Sequence, residues 1–184
     1  MIPYIRVPDL VIGSSPVYVG GLRILPLTLH PFGILVATAV LVGTNLAVRR
    51  ARRLGYDLDL LNSFITWMLV FGFVLSHMID EVFYHPEEIL RRPISLLMIH
   101  EGLSSFGGFI GALVGALAWK YFDWGPRFRV GSRTVSFVRR RAQPIPLLPF
   151  VDIVQAIFPV AWIFGRMGCS VVHDHPGARA PEGA

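Results

Sequence analysis

Charge is scarce in these 184 residues. Charged side chains make up 16% of the chain, whereas ordinary soluble domains carry about 25%. Hydrophobic residues make up 53% and the mean hydropathy is +0.57. That deficit excludes an ordinary water-soluble domain and points to an integral membrane protein. Cysteine is nearly absent too: Cys169 stands alone, so an internal disulfide framework is excluded. Lysine is represented only by Lys120, among 17 basic residues. A net charge of +5 would suit nucleic acid if the arginines covered one face. They cluster instead at the ends of apolar runs, which is a topology signal, and no nucleic-acid partner is expected. The first residues lack a charged n-region, a short apolar core and a cleavage site, so no signal peptide is expected.

Long apolar runs are what the chain does have. They predict an all-α polytopic membrane helix bundle with four spans, an outside N-terminus and a short irregular N-terminal segment. That segment covers residues 1–30. Pro8, Pro16 and Pro26 exclude a regular helix there, and Val17–Val19 and Ile24–Leu29 read as short extended pieces or an interfacial segment. The membrane domain covers residues 31–173. Its first span, residues 32–48, ends in Arg49-Arg50-Ala51-Arg52-Arg53, which assigns residues 49–62 to the cytoplasm. The second span, residues 63–84, runs outward. His77, Asp80, Glu81 and Tyr84 fall on one face of it, spaced i, i+3, i+4, i+7. An outside loop, residues 85–103, follows.

The third span, residues 104–121, returns inward. Gly107, Gly111 and Gly115 recur every four residues, a spacing that lets helix backbones approach closely. Residues 122–145 carry six arginines and no acid after Asp123, and read as a second cytoplasmic loop in agreement with the first. The fourth span, residues 146–172, runs outward, with Pro159 expected to kink it. Residues 174–184 read as a flexible tail.

Arg166 lies inside this last apolar run, between Gly165 and Gly168. Charge in lipid is costly, so an intramembrane arginine is a functional-site hypothesis by default. A guanidinium matches phosphate oxygens as a bidentate fork; the alternative is an interfacial arginine that snorkels to the headgroups. His173-Asp174-His175 offers too few ligands for zinc, which leaves acid/base work or a capping turn. His100-Glu101 is a candidate base or an ordinary loop pair. His77, with Asp80 and Glu81, is either a polar network or a wetted interfacial face. Gly107 and Gly108 serve packing or an anion cradle.

Leu25–Gly33 (LPLTLHPFG), His85–Pro93 (HPEEILRRP), Glu101–Gly115 (EGLSSFGGFIGALVG) and Gly165–Gly168 (GRMG) resemble, in order and spacing, the prolipoprotein diacylglyceryl transferases. The resemblance implies a bacterial inner-membrane enzyme, multi-pass and active on its outward side. Such an enzyme moves a diacylglyceryl group from phosphatidylglycerol to the cysteine thiol of a prolipoprotein signal sequence, and needs no cofactor or metal. On that reading Arg166, Gly165, Gly168, Gly107, Gly108 and His77 bind phosphatidylglycerol or another anionic phospholipid. His100, Glu101, His173 and Asp174 handle the proton.

The chain departs from the family pattern at several places. Phe106 stands where the family carries a histidine before paired glycines, and Pro31-Phe32 where an aromatic pair precedes the glycine. Cys169 replaces an asparagine, and Asp174 stands approximately for a glutamate. The family also has further spans, so the expectation is a fragment or a divergent member. Its alternative function is a catalytically inactive lipid- or partner-binding membrane protein on the same scaffold. A small channel or transporter subunit is the weaker third idea, for it lacks a charged ring or broken-helix repeats.

Overall fold

A computed structural model describes residues 8–19, 22–97, 102–130 and 133–171. The elements, in chain order, are strands β1 (Leu10–Val19) and β2 (Leu22–Leu29), then helices α1 (Pro31–Leu54), α2 (Leu58–Tyr84) and α3 (Pro86–Arg91). A 3-10 turn (Pro93–Leu97), helix α4 (Ser105–Tyr121), strands β3 (Phe122–Val130) and β4 (Arg133–Arg140), and helix α5 (Leu148–Val171) complete the set. The chain divides into two compact units, residues 1–49 with 154–184, and residues 50–153.

Helix predominates, as the apolar runs require, but the all-α expectation needs correction. Two antiparallel hairpins, β1–β2 and β3–β4, are present. In the first, Leu10 pairs with Leu29 and Val19 with Leu22, and the register shifts between Ile12 and Val17. Pro16 falls in that shifted stretch, where a residue without an N–H costs no ladder bond. The second hairpin lies where a loop was expected. Phe128 pairs with Val135 and Arg129 with Thr134. Over residues 127–130 arginine alternates with Phe128 and Val130, a short period-2 pattern within an arginine-rich stretch. Its register shifts between Trp124 and Arg127, around Gly125-Pro126.

Among the described residues, three helices are long and apolar enough to cross a membrane: Pro31–Leu54, Leu58–Tyr84 and Leu148–Val171, with mean hydropathy of 1.9, 1.8 and 1.7. Little of each is covered by protein, so their apolar surface is free to meet lipid. Helix α4 has 17 residues, somewhat under the about 20 that cross the hydrocarbon core. Pro159 lies inside α5, which continues through it as one helix.

In the unit of residues 50–153, α1 ends at Gly55, whose φ is +74. Tyr56 N donates to Ala51 O at 3.0 Å and Gly55 N to Arg52 O at 3.4 Å, the paired bonds of a Schellman stop. Two residues on, the Asp57 carboxylate accepts from Asp59 N at 2.8 Å and Leu60 N at 3.2 Å, starting α2 with an N-cap.

The core of this unit is aromatic at one end and glycine-lined along its length. Phe64 and Phe150 lie against Trp119, with ring centroids 4.9 and 5.0 Å from it. Trp119 is fully buried, and its indole N–H donates to Ser63 Oγ at 3.2 Å. Farther along, α2 and α4 run antiparallel in close contact. A Cβ on Gly107 would stand 2.7 Å from Leu75 O, and one on Gly115 2.5 Å from Trp67 O. On Gly111 it would strike Phe71 O and come 2.8 Å from Gly72 Cα. Gly107, Gly111 and Gly115 must therefore lack a side chain for the backbones to touch.

In the unit of residues 1–49 with 154–184, a Cβ on Gly43 would lie 3.3 Å from Ala161 Cβ. Small residues are again where α1 and α5 come together.

Candidate functional site

Toward its C-terminal end helix α2 carries buried polar residues. Ser76, His77 and Glu81 are buried there, and burying them without partners would cost about 1–3 kcal/mol each. The partners come from the segment after α3. His77, with none of its surface exposed, turns Nε2 to Ser95 O at 2.9 Å and Nδ1 to Gly102 O at 3.3 Å. Ser95 Oγ donates to Glu81 Oε2 at 2.7 Å.

Next to this, Ser76 Oγ donates to Ser104 O at 2.7 Å, and Ser104 N donates back to Ser76 O at 3.2 Å. Ser104 also begins α4, its hydroxyl accepting from Gly107 N at 3.4 Å. Gly102 has φ +67, and a Cβ there would collide with the Asp80 carboxylate. The α2 end thus grips the chain on both sides of residues 96–101.

Gly107 and Gly108, neighbours in sequence, sit differently. Gly107 is buried against the Leu75–Ser76 backbone, whereas a Cβ on Gly108 would meet nothing nearer than Ser76 Oγ at 3.9 Å. Phe106 is exposed at 65%.

The other unit carries Arg166 on the last turns of α5, where it is exposed. Around Gly165 there is open space, while a Cβ on Gly168 would stand 2.9 Å from the Phe32 ring. Phe32 and the Gly-Arg-x-Gly turn therefore meet, and Cys169 is half-buried beside them. His100, Glu101, His173 and Asp174 lie outside the described residues. Among the described residues no three His, Cys, Asp or Glu side chains gather to hold a metal ion.

Ser76, Ser95, Gly102 and Ser104 had not been singled out from the sequence. Only Ser104 carried a local signal, a hydroxyl three residues before Gly107 at the start of an apolar run.

Residues 21–182 match the family model for prolipoprotein diacylglyceryl transferase. The chain belongs to that family. A phosphatidylglycerol–prolipoprotein diacylglyceryl transferase from Thermus thermophilus is 31% identical over 144 residues, 78% of this chain and 44% of the relative. One from Staphylococcus xylosus is 33% identical over 108 residues, 58% of this chain and 38% of the relative. One from Tolumonas auensis is 36% identical over 90 residues, 48% of this chain and 35% of the relative. The chain thus spans less than half the length of these curated relatives. The matched range, residues 21–182, spans His77, the glycine stripe of α4 and Arg166.

Proposed function

We propose that this chain forms part of a membrane transferase that moves a diacylglyceryl group from phosphatidylglycerol to a prolipoprotein cysteine thiol. The observation that carries the reading is the family match over residues 21–182, joined to relatives whose names state that activity. In the reaction a C–S bond forms at the glyceryl carbon and the bond from that carbon to the phosphate oxygen breaks. Glycerol phosphate leaves with the electron pair. The thiol proton passes to a base, for the thiolate is the nucleophile.

Arg166 is assigned to the phosphate, where a fixed cation offsets charge growing on the leaving group. Gly165 and Gly168 keep its surroundings small. His100, Glu101, His173 and Asp174 are the candidates for the proton. His77 is assigned a positioning role, because its ring holds Ser95 and Gly102, which flank His100-Glu101 in sequence.

The proposed topology has four spans, with α4 as the third and the N-terminus outside. Two arginine-rich segments support it, residues 49–53 and 127–141. They follow the first and third spans, so both fall on the cytoplasmic side. The proposed location is the bacterial inner membrane, with transfer on the outward side.

Phe106 and Cys169 favour a second reading, a lipid- or partner-binding member that has lost the chemistry. The two readings separate in cells depleted of their own transferase, supplied with the complete reading frame. Lipid labelling of a reporter prolipoprotein is expected with the native chain, and a drop of about 100-fold or more with Arg166→Ala. No labelling from either supports the non-catalytic member. Equal labelling from both removes Arg166 from the mechanism.

A further inference from the structure

The end of α4 away from His77 holds a second polar site, about 25 Å off along a 17-residue helix. There the β3–β4 hairpin closes, with Phe122 paired to Arg140 and Asp123 to Arg139. A pocket of about 260 Å³ opens at this base, lined by Asp123, Arg139, Arg140, Arg141 and Gln143 among others. Three arginines and one aspartate are among the residues that line it.

Arg141 is committed to the fold. Its Nε donates to Trp119 O and Phe122 O, both at 3.1 Å, where the last carbonyls of α4 lack helical partners. Its guanidinium lies 5.5 Å over the Trp119 ring, and Nη2 is 3.1 Å from Asp123 Oδ1. Arg141 thus balances both the negative helix end and Asp123. Arg139 and Arg140, both exposed, supply the charge in excess.

The residues beside the pocket are apolar and open. Tyr121, Phe122 and Val138 are all exposed, where the end of α4 and the base of the hairpin read as the membrane interface. We infer that the base of the β3–β4 hairpin binds the phosphate of an anionic phospholipid, with Arg139 and Arg140 on the phosphate oxygens and acyl chain along Tyr121 and Phe122. A phosphodiester supplies the negative charge that the paired forks match, and a lipid tail supplies what the apolar rim would cover. Free phosphate shares the first feature and lacks the second. The site would serve the leaflet opposite the proposed transfer site, an assignment that rests on the topology proposed above.

The test is native mass spectrometry of the full-length protein in detergent, titrated with dioleoyl-phosphatidylglycerol, dioleoyl-phosphatidylcholine or inorganic phosphate. Arg139→Gln with Arg140→Gln should lose one phosphatidylglycerol adduct, weakened at least about tenfold. Arg139→Lys with Arg140→Lys keeps the charge, so it should retain that adduct more weakly than the native chain, and it serves if the glutamine pair fails to fold. Arg166→Ala should leave this adduct in place. The proposal falls if the glutamine or lysine pair binds phosphatidylglycerol as the native chain does. It falls too if phosphatidylcholine binds equally, or if millimolar phosphate displaces the lipid. A chain without transferase activity that still loses its adduct on Arg139→Gln with Arg140→Gln would sink the transferase reading and keep the pocket.

Discussion

His77 ties two points of the chain after α3 to the end of α2. Its two ring nitrogens meet carbonyls 18 and 25 residues downstream, so Ser95 and Gly102 are both fixed to α2. Replacing the ring by His77→Ala strips a donor from a buried site and leaves a cavity. The expected loss is about 2–4 kcal/mol of stability, read as a lower unfolding temperature in detergent. If the ring positions rather than binds, transfer should fall through kcat while KM for phosphatidylglycerol stays near its native value. A rise in KM alone would instead make His77 a substrate contact. That His77, Asp80 and Glu81 share a face was legible, because helical spacing alone decides it. Ser95 and Gly102 were not, since a loop partner has no period to reveal it.

At the scale of elements, the two glycines 108 and 111 separate packing from binding. Gly111 lies against the Phe71–Gly72 backbone and Gly108 does not. Gly111→Ala should therefore push α2 and α4 apart, at about 1–3 kcal/mol. Gly108→Ala should be neutral or mildly stabilising, by up to about 1 kcal/mol, because alanine suits a helix better. Thermal unfolding of both variants side by side decides this, and a destabilised Gly108→Ala would contradict the observed spacing. If Gly108→Ala stays folded yet loses transfer, its role is at the ligand. The glycine period was readable because close helix contact demands small residues at a fixed interval. The β3–β4 hairpin was not, because arginine at alternate positions marks a cytoplasmic loop as readily as a strand.

For the whole molecule the remaining question is which way the chain threads the membrane. Among the described residues three helices are apolar and long, and α4 makes a fourth passage only if its 17 residues suffice. Its intimate contact with α2 argues for insertion, since close packing of small residues is how helices associate in lipid. The arginine-rich segments then fall on one side of the membrane and the His77 end of α2 on the other. Labelling can check this from outside intact cells, because Cys169 is the sole cysteine. In a Cys169→Ser background, Glu88→Cys should react with an impermeant maleimide and Gln143→Cys only after the membrane is opened. If α4 stays on one surface, both positions should label alike, for the passage between them would be gone. Reaction of Gln143→Cys alone in intact cells would invert the topology, and would carry the proposed transfer site to the cytoplasmic side.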